Sequence, residues 1–444
     1  MGRWVTRRWE NMHGTGLRRR DRRSGQYHAY VPDTLSGASL RLSADAEALA
    51  MKAEDRVRRI SASPDMTAVA RFLLRSEAIA SSRIEGIAPS AHKVALAELG
   101  QSEEVKGLSE QARAVAHNVT AVKDATEHLA AAPAVTINGL LALHRSLLPD
   151  SPEHHGIREA QNWLGGSSYH PLEADFIPPP PELVPALLDD LMTYLNSAAH
   201  APLIQAALVH AQFETIHPFT DGNGRMGRAL IHTVLARRGL LSSAVLPTSL
   251  ILATLSDRYV ESLSLFRGIN PVENAGRASG EEPISLDRDR EAWIVFFLEA
   301  SILACDQAEQ IAAELADVRA DWDESIQRWA ARENANHPLR ADSAASRILS
   351  GLPGTPVLTI QTASRIYGVS RTAASRGLET LRSAGILTTE SIGASRRAYT
   401  ARSVLDTITW AERRLAGTRF DTRTLRHRPR PRHDARRHPV SDHR

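Results

Sequence analysis

The sequence predicts a mainly α-helical protein with a small α+β domain near its C-terminus. Apolar residues recur at helical spacing through most of residues 43–118, 136–239 and 290–319. Runs that alternate apolar and polar residues, which would indicate strands, are few, and no segment repeats at a fixed period. We therefore expect an all-helical core with one short β-hairpin, and further strands only in the C-terminal domain.

The bulk composition excludes several classes of protein. Of the 444 residues, 42% are hydrophobic and 24% are charged, as is typical of globular chains with several cores. The single cysteine, Cys305, excludes an internal disulfide framework and fits a reducing compartment. Residues 1–30 lack the apolar segment of a secretory signal, and no run approaches the roughly 18 apolar residues of a membrane-spanning helix. We expect a cytoplasmic protein that needs no membrane.

Both ends of the chain are rich in arginine, although the formal net charge is only +3. The arginines cluster in residues 18–23 and 423–437. Because like charges repel and neither end has apolar periodicity, we predict disordered basic tails over residues 1–30 and 416–444. The four histidines of the C-terminal tail are too widely spaced, among Arg and Pro, to indicate a metal site.

Breaks in the helical pattern divide the chain into segments. Between residues 156 and 181, Gly, Ser and aromatic residues followed by four prolines predict an irregular or hairpin excursion from the helical core. Residues 333–356 are rich in Ala, Ser, Pro and Gly, which indicates a linker or a short connecting helix. The predicted segments are the basic tail 1–30, an N-terminal helical region 31–134, a catalytic core 135–270, a helical extension and linker 271–345, a small C-terminal domain 346–415 and the basic tail 416–444.

The residues with the clearest chemistry form one polar run, from His217 to Arg228. Apolar residues at helical spacing precede it in 203–213 and follow it in 226–234, so the run lies in a loop that enters a helix. Gly222 and Gly224 let the backbone approach a ligand closely. The amide groups at the start of a helix then form a site for an anion, and a di- or triphosphate is the expected ligand.

The charged residues of this run fit the same ligand. Arg225 and Arg228 are three residues apart, so both guanidinium groups lie on one face of the first helical turn. Asp221 offers a hard oxygen ligand for the Mg²⁺ that accompanies a nucleotide. His217, four residues earlier, has a pKa range suited to a general base acting on an alcohol. A hydroxyl deprotonated by His217 can attack phosphorus in line while the leaving diphosphate is held by Mg²⁺ and the arginines.

Two other nucleotide-binding classes share part of this pattern. Gly222, Gly224 and Gly227 have the spacing of a dinucleotide-binding fingerprint, but no buried strand precedes them. An acidic residue to bind a ribose is also missing about 20 residues further on. A protein kinase would need His-Arg-Asp and Asp-Phe-Gly runs, which the chain lacks. The sequence argues against both classes.

The run from His217 to Arg228 resembles, at every fixed position, the signature His-x-Phe-x-Asp/Glu-Gly-Asn-Gly-Arg-x-x-Arg of the Fic family. The resemblance extends over about residues 43–267. It includes residues 156–158 and 163–165 before the run, and residues 246–247 and 258–259 after it. The family resemblance implies an all-helical core and the transfer of AMP from ATP to a Tyr, Thr or Ser hydroxyl of a protein, with release of pyrophosphate.

The resemblance also implies a role for each residue of the run. His217 would be the base, Asp221 the Mg²⁺ ligand, and Phe219 the anchor of the loop in the core. Arg225 would contact the β-phosphate side and Arg228 the γ-phosphate. The residues implied to bind the nucleotide phosphates are Gly222, Asn223, Gly224, Arg225 and Arg228.

Residues 163–177 correspond in this resemblance to the family's flap, a hairpin that holds the target segment as an added strand. Pairing through the backbone is independent of side chains, so the target cannot be deduced from the sequence. Some members of the family use other nucleotides, transfer phosphate or phosphocholine, or remove AMP with the same loop. Removal of AMP therefore stays an alternative to its transfer.

An inhibitory segment is the second feature that the resemblance implies. Residues 81–86, at the end of a helical run, resemble the family motif Ser/Thr-x-x-x-Glu-Gly/Asn. The resemblance implies that Glu85 pairs with Arg228 and occupies the place that the γ-phosphate needs, so that ATP binds out of line. A glutamate before a glycine at a helix end is otherwise a solvated residue, so this prediction depends on the resemblance.

The C-terminal domain invites a different interpretation. A helix ending at Gly368, a second helix after a Ser370 cap, and a later hairpin pattern resemble a winged helix-turn-helix. The candidate DNA-binding residues are Arg371 and Arg376 on the second helix and Arg396 and Arg397 on the wing. A DNA-binding regulator with the core as its sensor, and a protein-docking or dimerisation unit, both stay open. The expected partners are a target protein, the chain itself through self-modification, DNA, and a second copy of the chain.

Overall fold

The computed structural model describes residues 2–11, 18–37, 39–241, 245–268, 286–333, 339–393 and 396–417. Helices dominate these residues and the sheets are small and antiparallel, which confirms the predicted mainly α class. The helices are α1 (Ala44–Ser61), α2 (Pro64–Ile84), α3 (Ala91–Gly100), α4 (Glu110–Asp124), α5 (Ile137–Leu147), α6 (Val184–Asn196), α7 (Pro202–Ile216), α8 (Asn223–Arg237), α9 (Thr248–Thr254), α10 (Ser256–Phe266), α11 (Leu286–Arg332), α12 (Ala344–Gly351), α13 (Ile360–Tyr367), α14 (Arg371–Ser383) and α15 (Arg402–Gly417). The strands are β1 (Arg3–Trp9), β2 (Gly25–Val31), β3 (Val357–Leu358), β4 (Thr388–Gly393) and β5 (Arg396–Thr400).

The prediction of a disordered tail over residues 1–30 is wrong for the strands β1 and β2, which pair as an antiparallel hairpin. Tyr27 and Ala29 on β2 are buried, and Trp9 packs against Trp163 with 5.2 Å between the ring centroids. The arginines are compensated by distant acids, since Arg7 donates to Glu182 at 2.7 Å. Burial of the apolar side chains stabilises the hairpin despite its charge. The predicted C-terminal tail lies, beyond residue 417, outside the described residues.

Helices α7 and α8 lie at the centre of the core. Every residue of α7 from Leu203 to Ile216 is buried, as expected of a helix surrounded on all sides. The long helix α11 covers α1, α7, α9 and α10. Its Trp293 is completely buried and donates from Nε1 to the carbonyl of Ala207 at 2.9 Å, which ties α11 to α7.

The only cysteine of the sequence lies on the inner face of α11. Cys305 is completely buried, and burial raises the pKa of its thiol to about 12. The thiol is therefore protonated at neutral pH.

Residues 344–417, which we call the C-terminal module, contain α12 to α15 and a three-stranded sheet in the order β3-β5-β4. The Thr359 and Ser370 side chains cap α13 and α14 by accepting from the amides of Thr362 and Ala373. Gly368 ends α13 with a φ of 63°. The predicted helices and hairpin are thus present, and α12 packs on α14 and belongs to the module rather than to the linker. Whether the module acts as a winged helix-turn-helix stays a prediction.

None of the described helices is both long and apolar enough to cross a membrane.

Candidate active site

His217 lies at the corner where α7 ends. Its backbone is left-handed, with φ 50° and ψ 59°, and it is the only non-glycine residue with a positive φ among those described. The carbonyl of His217 accepts from Arg158 Nε at 2.9 Å and from Asn162 Nδ2 at 3.3 Å. An unusual backbone conformation of this kind persists only when its surroundings hold it, which these contacts do.

The loop after His217 is closed by two side chains. Phe219 is completely buried and stacks on the His144 ring, with 3.8 Å between the centroids. Asn223 accepts from the amide of Phe219 at 2.9 Å and donates to its carbonyl at 2.8 Å. The Asn223 side chain therefore braces the loop instead of facing a ligand, and only its backbone amide is left for the anion site that the sequence predicted.

The N-terminus of α8 has the backbone features of the anion site that the sequence predicted. Gly222 precedes it with a φ of 80°, and the first amide that bonds within the helix is that of Met226, to the Gly222 carbonyl at 2.9 Å. Arg225 is buried, and its Nε and Nη1 have no partner among the described residues. Its Nη2 contacts Asp221 at 3.2 Å. Buried guanidinium donors without partners beside free helix amides favour a bound anion.

Glu85 meets Arg228 at this site, as the resemblance implied. Arg228 is buried and donates from Nη2 to Glu85 Oε1 at 2.7 Å. It also donates from Nε to Ser81 Oγ and from Nη2 to the Ser81 carbonyl, both at 2.9 Å. A Cβ atom on Gly224 would overlap with Glu85 Oε1, so the carboxylate lies directly over the first turn of α8.

A second polar contact joins α2 and α8, and the sequence analysis did not predict it. Glu77 accepts from His232 Nε2 at 2.9 Å, and both side chains are completely buried. Glu77 and Ser81 on α2 and Glu85 directly after it are four residues apart, as are Arg228 and His232 on α8. This matched four-residue spacing was the available signal, but it shows only which face of each helix is polar and not which helices meet.

The end of α2 is a Schellman turn that fixes the position of Glu85. The amide of Ile87 donates to the Ser82 carbonyl at 3.0 Å, and the amide of Gly86 donates to the Arg83 carbonyl at 2.9 Å. Gly86 takes a φ of 80°, which other residues adopt only with strain. The glycine of the predicted inhibitory motif therefore has a backbone role.

The electrostatics of the site keep His217 neutral. Burial, assisted by the positive charge of Arg267, lowers the pKa of the imidazole to about 4, whereas Glu85 acts in the opposite direction. The His217 Nδ1 atom lies 4.0 Å from Glu214 Oε2. Burial also raises the pKa of Glu214 to about 7. A neutral imidazole is the form that can accept a proton.

Comparison with known sequences assigns these elements to a family. A profile of the Fic/DOC family matches residues 134–235, and a profile of the Fic/DOC family N-terminal region matches residues 50–127. The chain therefore contains a region of the Fic/DOC family and, before it, that family's N-terminal region. The match to residues 134–235 contains α7, the loop and all but the last two residues of α8, and the match to residues 50–127 contains α2 with Glu85 at its C-terminal end.

Several curated relatives are similar to part of the chain. The protein adenylyltransferase fic-1 of Caenorhabditis briggsae is 31% identical over 172 residues, which cover 34% of this chain and 32% of the relative. The probable protein adenylyltransferase aq_aa38 of Aquifex aeolicus is 42% identical over 72 residues, covering 16% of this chain and 22% of the relative. The chain thus spans about a third or less of the length of these relatives.

Solved Fic structures are similar over longer stretches at lower identity. A Fic family protein from Desulfovibrio desulfuricans aligns over 81% of this chain and 97% of its own, with 19% identity and a TM-score of 0.46. Fic-1 from Caenorhabditis elegans aligns over 60% of this chain and 72% of its own, with 24% identity and a TM-score of 0.42.

Residues 163–177, which the resemblance matched to the family's flap, form a hairpin with one antiparallel bridge, between Leu164 and Phe176. The Arg267 guanidinium lies over the Phe176 ring at 4.0 Å from its centroid, and Arg267 also influences His217. The amide of Tyr30, on β2, donates to the Ile177 carbonyl at 2.9 Å. The N-terminal hairpin therefore continues the flap, a connection that the sequence did not indicate.

The four arginines predicted for DNA contacts lie outside the loop that runs from His217 to Gly222, and their surroundings differ. Arg371 and Arg376 are exposed on α14. Arg396 does not occupy a free wing tip, because it donates from Nη1 to the Glu104 carbonyl at 3.0 Å. Arg397 is exposed on β5. Of the two arginines on β5, Arg396 is thus already engaged within the protein.

Proposed function

We propose that this chain is a protein adenylyltransferase that transfers AMP from ATP to a Tyr, Thr or Ser hydroxyl of a protein and restrains itself through Glu85. The supporting observation is the position of a neutral His217 at the corner that leads into the α8 anion site. That position supports a role for His217 as a base acting beside bound phosphates. The curated relatives named protein adenylyltransferases support the same activity.

The reaction needs one proton transfer and one displacement at phosphorus. The neutral imidazole of His217 accepts the proton of the target hydroxyl, and the hydroxyl oxygen forms a bond to the α-phosphorus of ATP. The bond from the α-phosphorus to the bridging oxygen breaks, and pyrophosphate leaves with the electron pair. The amides of α8 and the free donors of Arg225 stabilise the charge on the phosphate oxygens, since they are already oriented before the reaction.

Asp221 is the residue that would hold Mg²⁺. Its side chain is 51% exposed, and its Oδ1 accepts only from the amide of Gly222 among the described contacts. Magnesium is typically bound in such sites by one or two carboxylates together with substrate phosphates and water. The single exposed carboxylate of Asp221 fits this mode. The ion would supply neutralisation of the pyrophosphate charge.

The proposal is tested by the fate of the label from ATP. The protein is incubated with Mg²⁺ and ATP labelled at the α or the γ phosphate, alone and with lysate proteins. AMP transfer places the α label, and not the γ label, on protein, and adds the mass of AMP to the modified peptide. Transfer of the γ label would indicate a kinase, and loss of AMP from a modified protein without any transfer would indicate the reverse reaction.

The pH dependence follows from the lowered pKa of His217. Because the base must be unprotonated, we expect kcat/KM to rise through about pH 4 and to be independent of this group between pH 6 and 8. Arg267→Gln removes a positive charge that lowers this pKa, so the rise should move to higher pH. The measurement is the ratio of kcat/KM in the variant to kcat/KM in the parent at each pH. This ratio cancels the effect of the titration of ATP. Arg258→Gln, at an exposed arginine paired with Glu299, is the control. If kcat/KM rose over the same acidic pH range in Arg267→Gln and Arg258→Gln, the assignment of His217 as the titrating base would be contradicted.

Gly86→Ala should weaken the inhibition by Glu85, although the added methyl group contacts no other atom. A Cβ atom there meets nothing within 4 Å, so its effect is limited to the left-handed backbone, which costs about 1–2 kcal/mol for a non-glycine residue. Relief of this strain displaces Glu85, and we expect AMP transfer to rise roughly fivefold or more. Gly37→Ala is the matched control, since Gly37 has a φ of 76° and equally open surroundings. Equal rates in the two variants would show that the turn does not hold the carboxylate.

A further inference from the structure

The C-terminal helix α15 contacts the end of α2 that carries the inhibitory glutamate. Arg83 donates from Nη2 to Glu412 Oε2 at 2.6 Å. The Arg83 side chain is 40% exposed, whereas the Glu412 side chain is 9% exposed. The other oxygen of Glu412 has no hydrogen-bond partner among the described residues. Arg83 therefore provides the main counter-charge for the nearly buried Glu412 carboxylate. Removing Arg83 alone would leave that carboxylate buried and unpaired, which is energetically costly.

Arg83 also belongs to the turn that fixes Glu85. The Arg83 carbonyl accepts a hydrogen bond from the amide of Gly86, and the neighbouring Ser82 carbonyl accepts one from the amide of Glu85 at 3.1 Å. The side chain and the carbonyl of one residue thus link α15 to the backbone that orients the inhibitory carboxylate.

The rest of the C-terminal module holds α15 in place against α2 and α3. Arg75 on α2 donates to the Gly354 carbonyl at 3.1 Å. His92 on α3 contacts Glu390 on β4 at 2.6 Å. The amide of Lys106, after α3, donates to the Ile392 carbonyl at 3.0 Å, and Arg414 on α15 pairs with Glu314 on α11. These contacts give α15 a fixed position, so the Arg83–Glu412 pair can restrain the end of α2.

We propose that Arg83 and Glu412 are positioning residues for the inhibitory carboxylate, through which the docked C-terminal module keeps Glu85 over the α8 anion site. Displacement of the module, or loss of the pair, releases the end of α2 and raises nucleotide transfer. This inference rests on the proposed function for its kinetic readout. It assigns the C-terminal module a role in regulation that needs no nucleic acid.

The test combines charge reversal at Arg83, neutralisation at Glu412 and charge reversal at both partners together. Arg83→Glu should raise the rate of AMP transfer, measured as α-label on protein, by roughly fivefold, about the upper value for a partly exposed ion pair. Glu412→Gln, which keeps the shape of a buried side chain, should raise it in the same direction. The double variant Arg83→Glu/Glu412→Arg restores the pair with reversed polarity and should return the rate toward that of the parent.

Two controls separate positioning from a general loss of stability. Arg59→Glu makes the same charge change at an arginine that pairs with Asp55 within α1, and it should leave the rate unchanged. In a Glu85→Gly background, Arg83→Glu should have no further effect, because the group that it positions is gone. An unchanged rate in Arg83→Glu, or an equal increase with and without Glu85, would overturn the inference.

A readout without catalysis keeps the inference separate from the proposed function. Hydrogen exchange of the amides of Glu85, Gly86 and Ile87, all hydrogen-bonded in the turn, should be faster in Arg83→Glu than in Arg59→Glu. Equal exchange in the two variants would overturn the positioning role. If no variant transferred AMP, the proposed function would fail, and the exchange result would still decide whether Arg83 holds the turn.

Discussion

Replacing His217 by alanine should reduce AMP transfer by about 10²- to 10⁴-fold, the usual contribution of a general base, while ATP binding stays close to that of the parent. The imidazole acts on the hydroxyl proton in the transition state, whereas the phosphates are held by α8 and its arginines. Initial rates with α-labelled ATP and equilibrium binding of ATP are the two measurements.

The control variants for His217 account for its left-handed backbone. His217→Asn is made in parallel, because asparagine tolerates this conformation better than alanine. His154→Ala removes another histidine that contacts the loop, through Thr220 at 2.9 Å, and should retain most activity. Transfer by His217→Ala at the rate of the parent would remove His217 from the mechanism.

Glu85→Gly should raise AMP transfer, including self-modification, by at least about tenfold. A hydrogen bond between charged groups contributes about 1.5–3 kcal/mol, so loss of the carboxylate shifts occupancy of the Arg228 site by roughly ten- to a hundredfold in favour of phosphate. Arg228→Ala should cancel the gain, because the same guanidinium serves both anions. Rates are compared at saturating ATP and Mg²⁺.

Two further substitutions define what Glu85 does. Glu85→Gln keeps the size of the side chain and removes its charge, so activation by this variant would assign the restraint to competition between anions rather than to volume. Glu127→Gln makes the same change at an exposed residue paired with Lys123 and should have no effect. If Glu85→Gly and the parent react at the same rate, Glu85 is an ordinary carboxylate at a helix end.

The catalytic loop could be predicted because its residues are neighbours in the chain. Between His217 and Arg228, the order of base, carboxylate, glycines and arginines shows the chemistry directly, and helical periodicity on each side shows that the run is a loop. The glycine at Gly368 and the cap at Ser370 located the end of α13 and the start of α14 in the same local way. Local signals of this kind do not depend on how the helices pack.

The supports of the site could not be predicted because they join distant residues. Glu77 and His232 are 155 positions apart, and Arg158 reaches the His217 carbonyl across 59 positions. Which polar residues of two helices meet depends on their packing in three dimensions. The N-terminal hairpin was missed for a related reason. Its arginines suggested self-repulsion, but Arg7 finds its counter-charge at Glu182, 175 positions away.

The buried thiol of Cys305 makes the protein suitable for site-specific labelling. Thiol reagents such as maleimides react with the thiolate at an accessible surface, and this cysteine is completely buried with a pKa raised to about 12. A cysteine introduced at an exposed position near the end of α2 would therefore be the only residue to take up a fluorophore. A second label on the exposed face of α15, attached in the same way, would give a distance between the two helices in solution.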